Sequence, residues 1–229
     1  MKILLVCATN RVVKGLKEQF RFVQQTEANL ETYHYSNLQV DILVTGIGSV
    51  FTAYYLTKAL HYTSYDLVIN IGMAGSFDHF LEQGFVVNVI QDQFSDLGFE
   101  DREGFFTMYE MELMDRDAYP FTDGVIKSLG NFEIEEVDAL IPVKGITVNT
   151  LLSSPANISR VKEKFNAEIE TTEGAAFMYV CLQEKVPFLQ LRAVSYFVEI
   201  KKIENWNIPL ALDSLTETVM FILKELCID

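Results

Sequence analysis

No stretch of this chain approaches the roughly 20 consecutive apolar residues that a membrane span requires, so no transmembrane segment is expected. The apolar start, Met1–Cys7, is far too short for a signal peptide and runs at once into Asn10, Arg11 and Lys14, so it reads as a first strand. Cysteine is scarce: Cys7, Cys181 and Cys227 are odd in number, widely separated and set among apolar neighbours. That pattern excludes a disulfide framework and a zinc site, and it implies reduced thiols in a cytoplasmic protein. His34, His61 and His79 fall at no metal-ligand spacing, and no Ser or Cys sits in a nucleophile elbow. Metal and covalent catalysis drop out, and no cofactor is expected. Positive charge is also short, with 18 Lys and Arg against 32 Asp and Glu, a net charge of -14. Such an excess of acid argues against nucleic acid and anionic membrane as partners and leaves a small neutral or zwitterionic ligand open.

What is present suits one compact α/β domain over residues 1–229, because 49% of the residues are hydrophobic and only 22% charged. Short apolar runs alternate with longer amphipathic ones, the signature of strands joined by helices in one sheet. Strands are expected at Ile3–Cys7, Val40–Thr45, Asp66–Ile71, Phe85–Gln91, Ile141–Val148 and Phe188–Ser195, most of them apolar on both faces and therefore central. Helices are expected at Ser49–His61, with Ser49 as N-cap and Val50, Ala53, Tyr54, Thr57 and Leu60 at helical spacing. Pro155–Phe165, Glu173–Lys185 and Ala211–Leu226 follow, the last with Leu212, Leu215, Val219, Ile222 and Leu226 on one face. From Ser95 to Thr122 no period persists. Its aromatics, from Phe99 to Met114, alternate with acids and read as a lid, the rim of a subunit interface, or core.

Four segments carry residues suited to a ligand. Gly46-Ile47-Gly48-Ser49 ends a strand and opens a helix, so its N–H groups either cradle a polar ligand edge or merely close a tight turn. Asn70-Ile71-Gly72-Met73-Ala74-Gly75-Ser76 is a second small-residue strand end, and two such ends suggest one shared crevice. Glu173 precedes Gly174, Ala175 and Ala176, small enough to let a helix end close onto the sheet. Its carboxylate can accept two hydrogen bonds from the paired hydroxyls of a ribose, or it simply complements the helix dipole. Arg192, inside an apolar strand, needs a partner, with Glu170 and Glu173 as candidates. Trp206 either walls a base or clasps the last helix.

Together, Val44–Ser49, Asn70–Gly75, Glu170–Ala176 and Arg192–Ser195 resemble the nucleoside phosphorylase and nucleoside hydrolase superfamily, over the whole chain. The resemblance implies a three-layer fold with a central mixed sheet flanked by helices. Within it, Ser95–Asp101, Glu173–Ala176 and Arg192–Glu199 through Trp206 are most similar to the futalosine hydrolases of menaquinone biosynthesis. That similarity implies hydrolysis of the N-glycosidic bond of a purine nucleoside, with release of hypoxanthine, by a homodimer that uses no cofactor. The implied substrate-binding residues are Gly48, Met73, Ala74, Gly75, Val148, Thr171, Thr172, Glu173, Ser195 and Trp206, and the implied catalytic residues are Glu173, Tyr196 and Asn10. Phosphate-binding relatives carry an arginine and a serine near the second glycine segment, where this chain has Asn70 and Met73, so water is the implied nucleophile. The chain departs from the family pattern at three places. No acid lies between Cys7 and Glu18, Tyr196 replaces Asp or Asn, and Thr172 replaces methionine. Either Tyr196 and Asp96, Glu100 or Asp101 rebuild the site, or the chain binds a nucleoside with little turnover, or another purine nucleoside is the substrate.

Overall fold

The computed structural model describes residues 1–128, 133–199 and 203–227. The chain opens with β1 (Lys2–Cys7), α1 (Asn10–Lys17), the hairpin β2 (Arg21–Glu27) and β3 (Leu30–Tyr35), and β4 (Leu38–Val44). There follow α2 (Ser49–Tyr62), β5 (Leu67–Ser76), β6 (Val86–Asp92), the short pair β7 (Gly98–Glu100) and β8 (Phe105–Thr107), and β9 (Ile126–Lys127). The last third holds α3 (Glu135–Ala139), β10 (Ile141–Thr147), α4 (Pro155–Phe165), β11 (Ile169–Thr171), α5 (Gly174–Gln183), β12 (Phe188–Phe197) and α6 (Ile208–Glu225).

One mixed sheet runs β11-β10-β6-β12-β5-β1-β4-β3-β2, with β9 on the side of β6. Period-2 alternation sends β1 to both faces: Ile3, Leu5 and Cys7 join the core under α1 and α6, while Leu4 and Val6 join the core under α2 and α5. A sheet with helices on each face is therefore a direct consequence of strands apolar on both sides. Each fully buried Leu, Ile or Phe in these two cores contributes about 1.5–3 kcal/mol of transfer free energy. Among the described residues no helix is long and apolar enough to cross a membrane.

All six expected strands form, and Pro155–Phe165 is helical over those residues. The differences matter more. Asn70–Ser76 is not a turn but the second half of β5, which continues to Ser76 because its glycines leave room for neighbouring side chains. Its far end pairs antiparallel with β11, placing Glu170 opposite Gly75, while Tyr196 of β12 lies opposite Gly75 from the other side. The ladder β12–β5 slips at Ser195, a bulge that re-aims the strand end. The N-cap of α2 is Gly48 rather than Ser49, and the buried seam is Thr52, Leu56 and Ala59. Val50 and Tyr54, at helical spacing but on the outer face, are 75% and 63% exposed. The segment Ser95–Thr122 divides: Tyr109 and Met114 pack against the core, whereas Phe99 and Leu113 face solvent. Residues 200–202, inside the stretch leading to Trp206, lie outside the described residues.

Candidate active site

The carboxyl ends of β1, β4, β5 and β12 meet the start of α5 around a cavity of about 310 Å³. Its walls are Val12, Ile47, Asn70–Met73, Asn149, Leu151, Glu170–Glu173, Ser195, Tyr196 and Trp206. This is the crevice outside the strand ends where open α/β sheets bind ligands. Its volume is at the lower end of the small-molecule range.

Glu173 is the N-cap residue of α5, yet its side chain caps nothing in its own helix. Instead Oε1 accepts from the Gly48 N–H at 2.9 Å and from the Thr172 hydroxyl at 2.5 Å. Gly46 and Gly48 make this possible, since their φ values of 93° and 104° lie in the region that favours glycine. The Gly48 N–H is therefore committed to Glu173, and Gly48 serves the site by orienting that carboxylate. The expected replacement of methionine by Thr172 has a structural use, because its hydroxyl supplies the second donor.

In the same lining, the Tyr196 hydroxyl donates to Glu170 Oε1 at 2.9 Å, and the Leu152 N–H donates to Oε2 at 3.2 Å. Glu170 is wholly buried. Burial, and then the Glu170 charge, hold the Tyr196 phenol far above its ordinary pKa, so it remains a proton donor. Trp206 stacks on the Tyr196 ring with centroids 4.3 Å apart and planes 11° from parallel. The ring also passes over Gly75, where a Cβ would come within 2.2 Å of it. Gly75 thus acts by admitting Tyr196. Ala74 is buried beside it in β5, and its carbonyl accepts from the Ser195 hydroxyl at 3.4 Å.

Of the expected residues, Met73, Thr171, Thr172, Glu173, Ser195, Tyr196 and Trp206 line one cavity. Val148 does not; it packs behind Tyr196 in a separate buried cluster. Asn10 is exposed on the outer side of α1, where its Oδ1 accepts from Lys17 Nζ at 2.9 Å. Two residues are about 200° of helix rotation, so the side chain of α1 that enters the crevice is Val12. Asp96, Glu100 and Asp101 also stay out of the crevice. Asp96 accepts from the Asn149 backbone N–H at 2.6 Å, Glu100 pairs with Arg160, and Asp101 accepts from Glu103 and Gly104. Arg192 pairs with neither Glu170 nor Glu173: across β5 its guanidinium donates to the Asn70 side chain and to the carbonyls of Asn70 and Leu191. The amide of Asn70 in turn donates to the Val6 carbonyl at 3.0 Å, which fixes the crevice floor.

Sequence reasoning passed over Asp92, at the end of β6. It is fully buried below the start of α5 and accepts from the Thr147 hydroxyl at 2.9 Å, Gln190 Nε2 at 2.9 Å and the Gln93 N–H at 2.8 Å. Burial, only partly offset by these donors and by Arg192, pushes its carboxyl up to about 6. Among the described residues no group of three or more His, Cys, Asp or Glu is placed to hold a metal ion.

A family model described as the phosphorylase superfamily matches residues 2–219. A 5'-methylthioadenosine/S-adenosylhomocysteine nucleosidase of Bacillus velezensis is 29% identical over 205 residues, 85% of each chain. In structure, the 5'-methylthioadenosine/S-adenosylhomocysteine nucleosidase from S. pneumoniae with a transition-state inhibitor superimposes with a TM-score of 0.83 at 19% identity, covering 99% of this chain and 100% of that one. The native futalosine hydrolase of Helicobacter pylori does so with a TM-score of 0.81 at 17% identity, covering 98% of each. At these identities the two structures share the fold.

Proposed function

The chain belongs to the phosphorylase superfamily, and on that footing we propose that it binds a purine nucleoside in the crevice and hydrolyses its N-glycosidic bond. The observation that carries this is Glu173, fixed through one oxygen by Gly48 and Thr172 while it lines the cavity. An acceptor held rigidly in this way suits the adjacent hydroxyls of a ribose. Similarity to nucleosidases supports the reaction type, and the resemblance of Ser95–Asp101, Glu173–Ala176 and Arg192–Glu199 to futalosine hydrolases favours futalosine as substrate. With Asn70 and Met73 on the floor, and Arg192 turned onto Asn70, no cationic cradle for phosphate lines the cavity among the described residues. Water is therefore the nucleophile.

The bond breaks with positive charge building on the ribosyl ring, which the Glu173 carboxylate opposes. The Tyr196 phenol, kept protonated and with its ring stacked on Trp206, is the proton donor in the lining for a leaving purine that gathers electrons. Glu170 orients it, and a phenol that turns from Glu170 to the purine donates a hydrogen bond to the departing nitrogen. The working unit is a homodimer: Ile47, on the crevice wall, is continuous with exposed Val50, Phe51 and Tyr54, and a second copy on this face closes the mouth. A reducing cytoplasm as its compartment is supported by three cysteines that are few, odd in number and widely spaced.

Glu173→Ala tests the ribose assignment. Calorimetry is expected to show the affinity for futalosine or inosine falling at least tenfold while the affinity for hypoxanthine, which lacks the ribose, is unchanged. Equal affinities for nucleoside and base in the unaltered protein would contradict it. A second reading, nucleoside binding with little turnover, is favoured by Val12, since the α1 residue facing the crevice has no proton-accepting group for water.

A further inference from the structure

The first turn of a helix leaves N–H groups without partners, and an N-cap side chain ordinarily accepts from the second or third of them. In α5 those are Ala175 and Ala176, and the N-cap residue is Glu173. Its carboxylate is engaged elsewhere. The Ala175 N–H donates instead to the Thr147 hydroxyl at 2.7 Å, and the Gly174 N–H donates to the Thr171 hydroxyl at 3.2 Å. Two threonines from neighbouring strands β10 and β11 thus cap a helix to which neither belongs.

A hydroxyl has one proton, and Asp92 fixes where each proton points. Thr147 donates to Asp92 Oδ1 at 2.9 Å, leaving its lone pairs to Ala175 and, at 3.5 Å, to the Thr171 hydroxyl. Thr171 then donates to Thr147 and keeps a lone pair for Gly174. The result is a one-way chain of donors, from the helix end through Thr171 and Thr147 to a buried acceptor. Space is reserved for it, because a Cβ on Gly174 would come within 2.1 Å of Asp92 Oδ2 and one on Gly145 within 3.0 Å.

We infer that Thr147 and Thr171, with the Thr147 hydroxyl oriented by Asp92, are surrogate caps of α5 that release the Glu173 carboxylate to the ligand, which makes Thr147 a positioning residue for ribose recognition. The inference rests on the ribose assignment of Glu173 made above. Without the Thr147 hydroxyl, Ala175 lacks its acceptor, and the Glu173 carboxylate, at the N-cap position, can replace it. It then turns from Gly48 back onto its own helix.

Three variants and two measurements decide this. Thr147→Val should weaken inosine or futalosine at least tenfold by calorimetry with hypoxanthine unchanged, Thr147→Ser should restore it, and Asp92→Asn, which keeps an acceptor at Oδ1, should stay within about threefold of the unaltered protein. Equal loss of nucleoside and base, failure of Thr147→Ser to restore binding, or a tenfold loss in Asp92→Asn would overturn it. A crystal structure of Thr147→Val supplies the readout that needs no ligand: Glu173 is expected on the Ala175 N–H, and Glu173 still on Gly48 would overturn the capping. If the unaltered protein binds no nucleoside, the ribose assignment fails by itself, and the position of Glu173 in that structure still decides the capping.

Discussion

Asp92 carries a consequence for stability that is separate from its place beneath α5. Its carboxyl is raised from 3.8 to about 6 in the folded protein, with burial the leading cause. A carboxyl raised in this way favours the folded state most when protonated. Its contribution is complete below about pH 4 and is lost as the pH rises through about 6. Two units correspond to about 3 kcal/mol between those limits. Asp92→Asn removes the titration, and the adjacent Gln190 is suited to it, since its buried Oε1 has no hydrogen-bond partner and can accept from the new amide once the Gln190 side chain turns. Urea denaturation of the two proteins at pH 4 and pH 7 is expected to show their stability difference shifting by about 2 kcal/mol in favour of the variant at pH 7, since the unfolded carboxyl is already partly ionised at pH 4. A difference that does not move with pH would show that Asp92 has an ordinary carboxyl. In the sequence, Glu173 was legible because small residues follow it at a helix start. Asp92 was not, since nothing in Val-Ile-Gln-Asp-Gln says that β6 ends under a helix belonging to residues 174–183.

The same division holds among the elements. Central strands were legible because their apolar runs have flanking turns and need both faces covered. The hairpin β2–β3 was not, since every residue of β2 is exposed and Arg21–Glu27 has no apolar face to mark it. Helix α2 shows how periodicity misleads: Val50 and Tyr54 are spaced as a core face, but the helix turns Thr52, Leu56 and Ala59 inward. The apolar residues left outside form the face assigned above to the proposed dimer. Val50→Glu with Tyr54→Glu places two charges there and is expected to convert a dimer into a folded monomer, measured by sedimentation and by an unchanged circular dichroism spectrum. A dimer that persists in the double variant would assign the interface to another face. Helix α1 was not among the expected helices, and so Asn10 stood for the residue that faces the crevice when the helix presents Val12.

At the scale of the whole molecule, the sheet curls until β11 meets β5, and this closure gathers Gly75, Glu170 and Tyr196 from three distant parts of the chain. The motifs were visible singly in the sequence, while their convergence depends on a pairing between β5 and β11 that no local pattern announces. The molecule thus holds a crevice lined by a fixed carboxylate acceptor and by a phenol–carboxylate pair. For the proposed hydrolysis its weak point is the wall that α1 contributes, where Val12 has no proton-accepting group. The most direct measurement is chromatographic detection of free base after incubation with futalosine, 5'-methylthioadenosine and inosine, with and without phosphate, for the unaltered protein and for Val12→Glu. Hydrolysis by this site predicts hypoxanthine from futalosine without need of phosphate, and a rate raised about 10²-fold or more when an acid at position 12 activates the water. Base released only with phosphate, or none from any of the three by either protein, would contradict it.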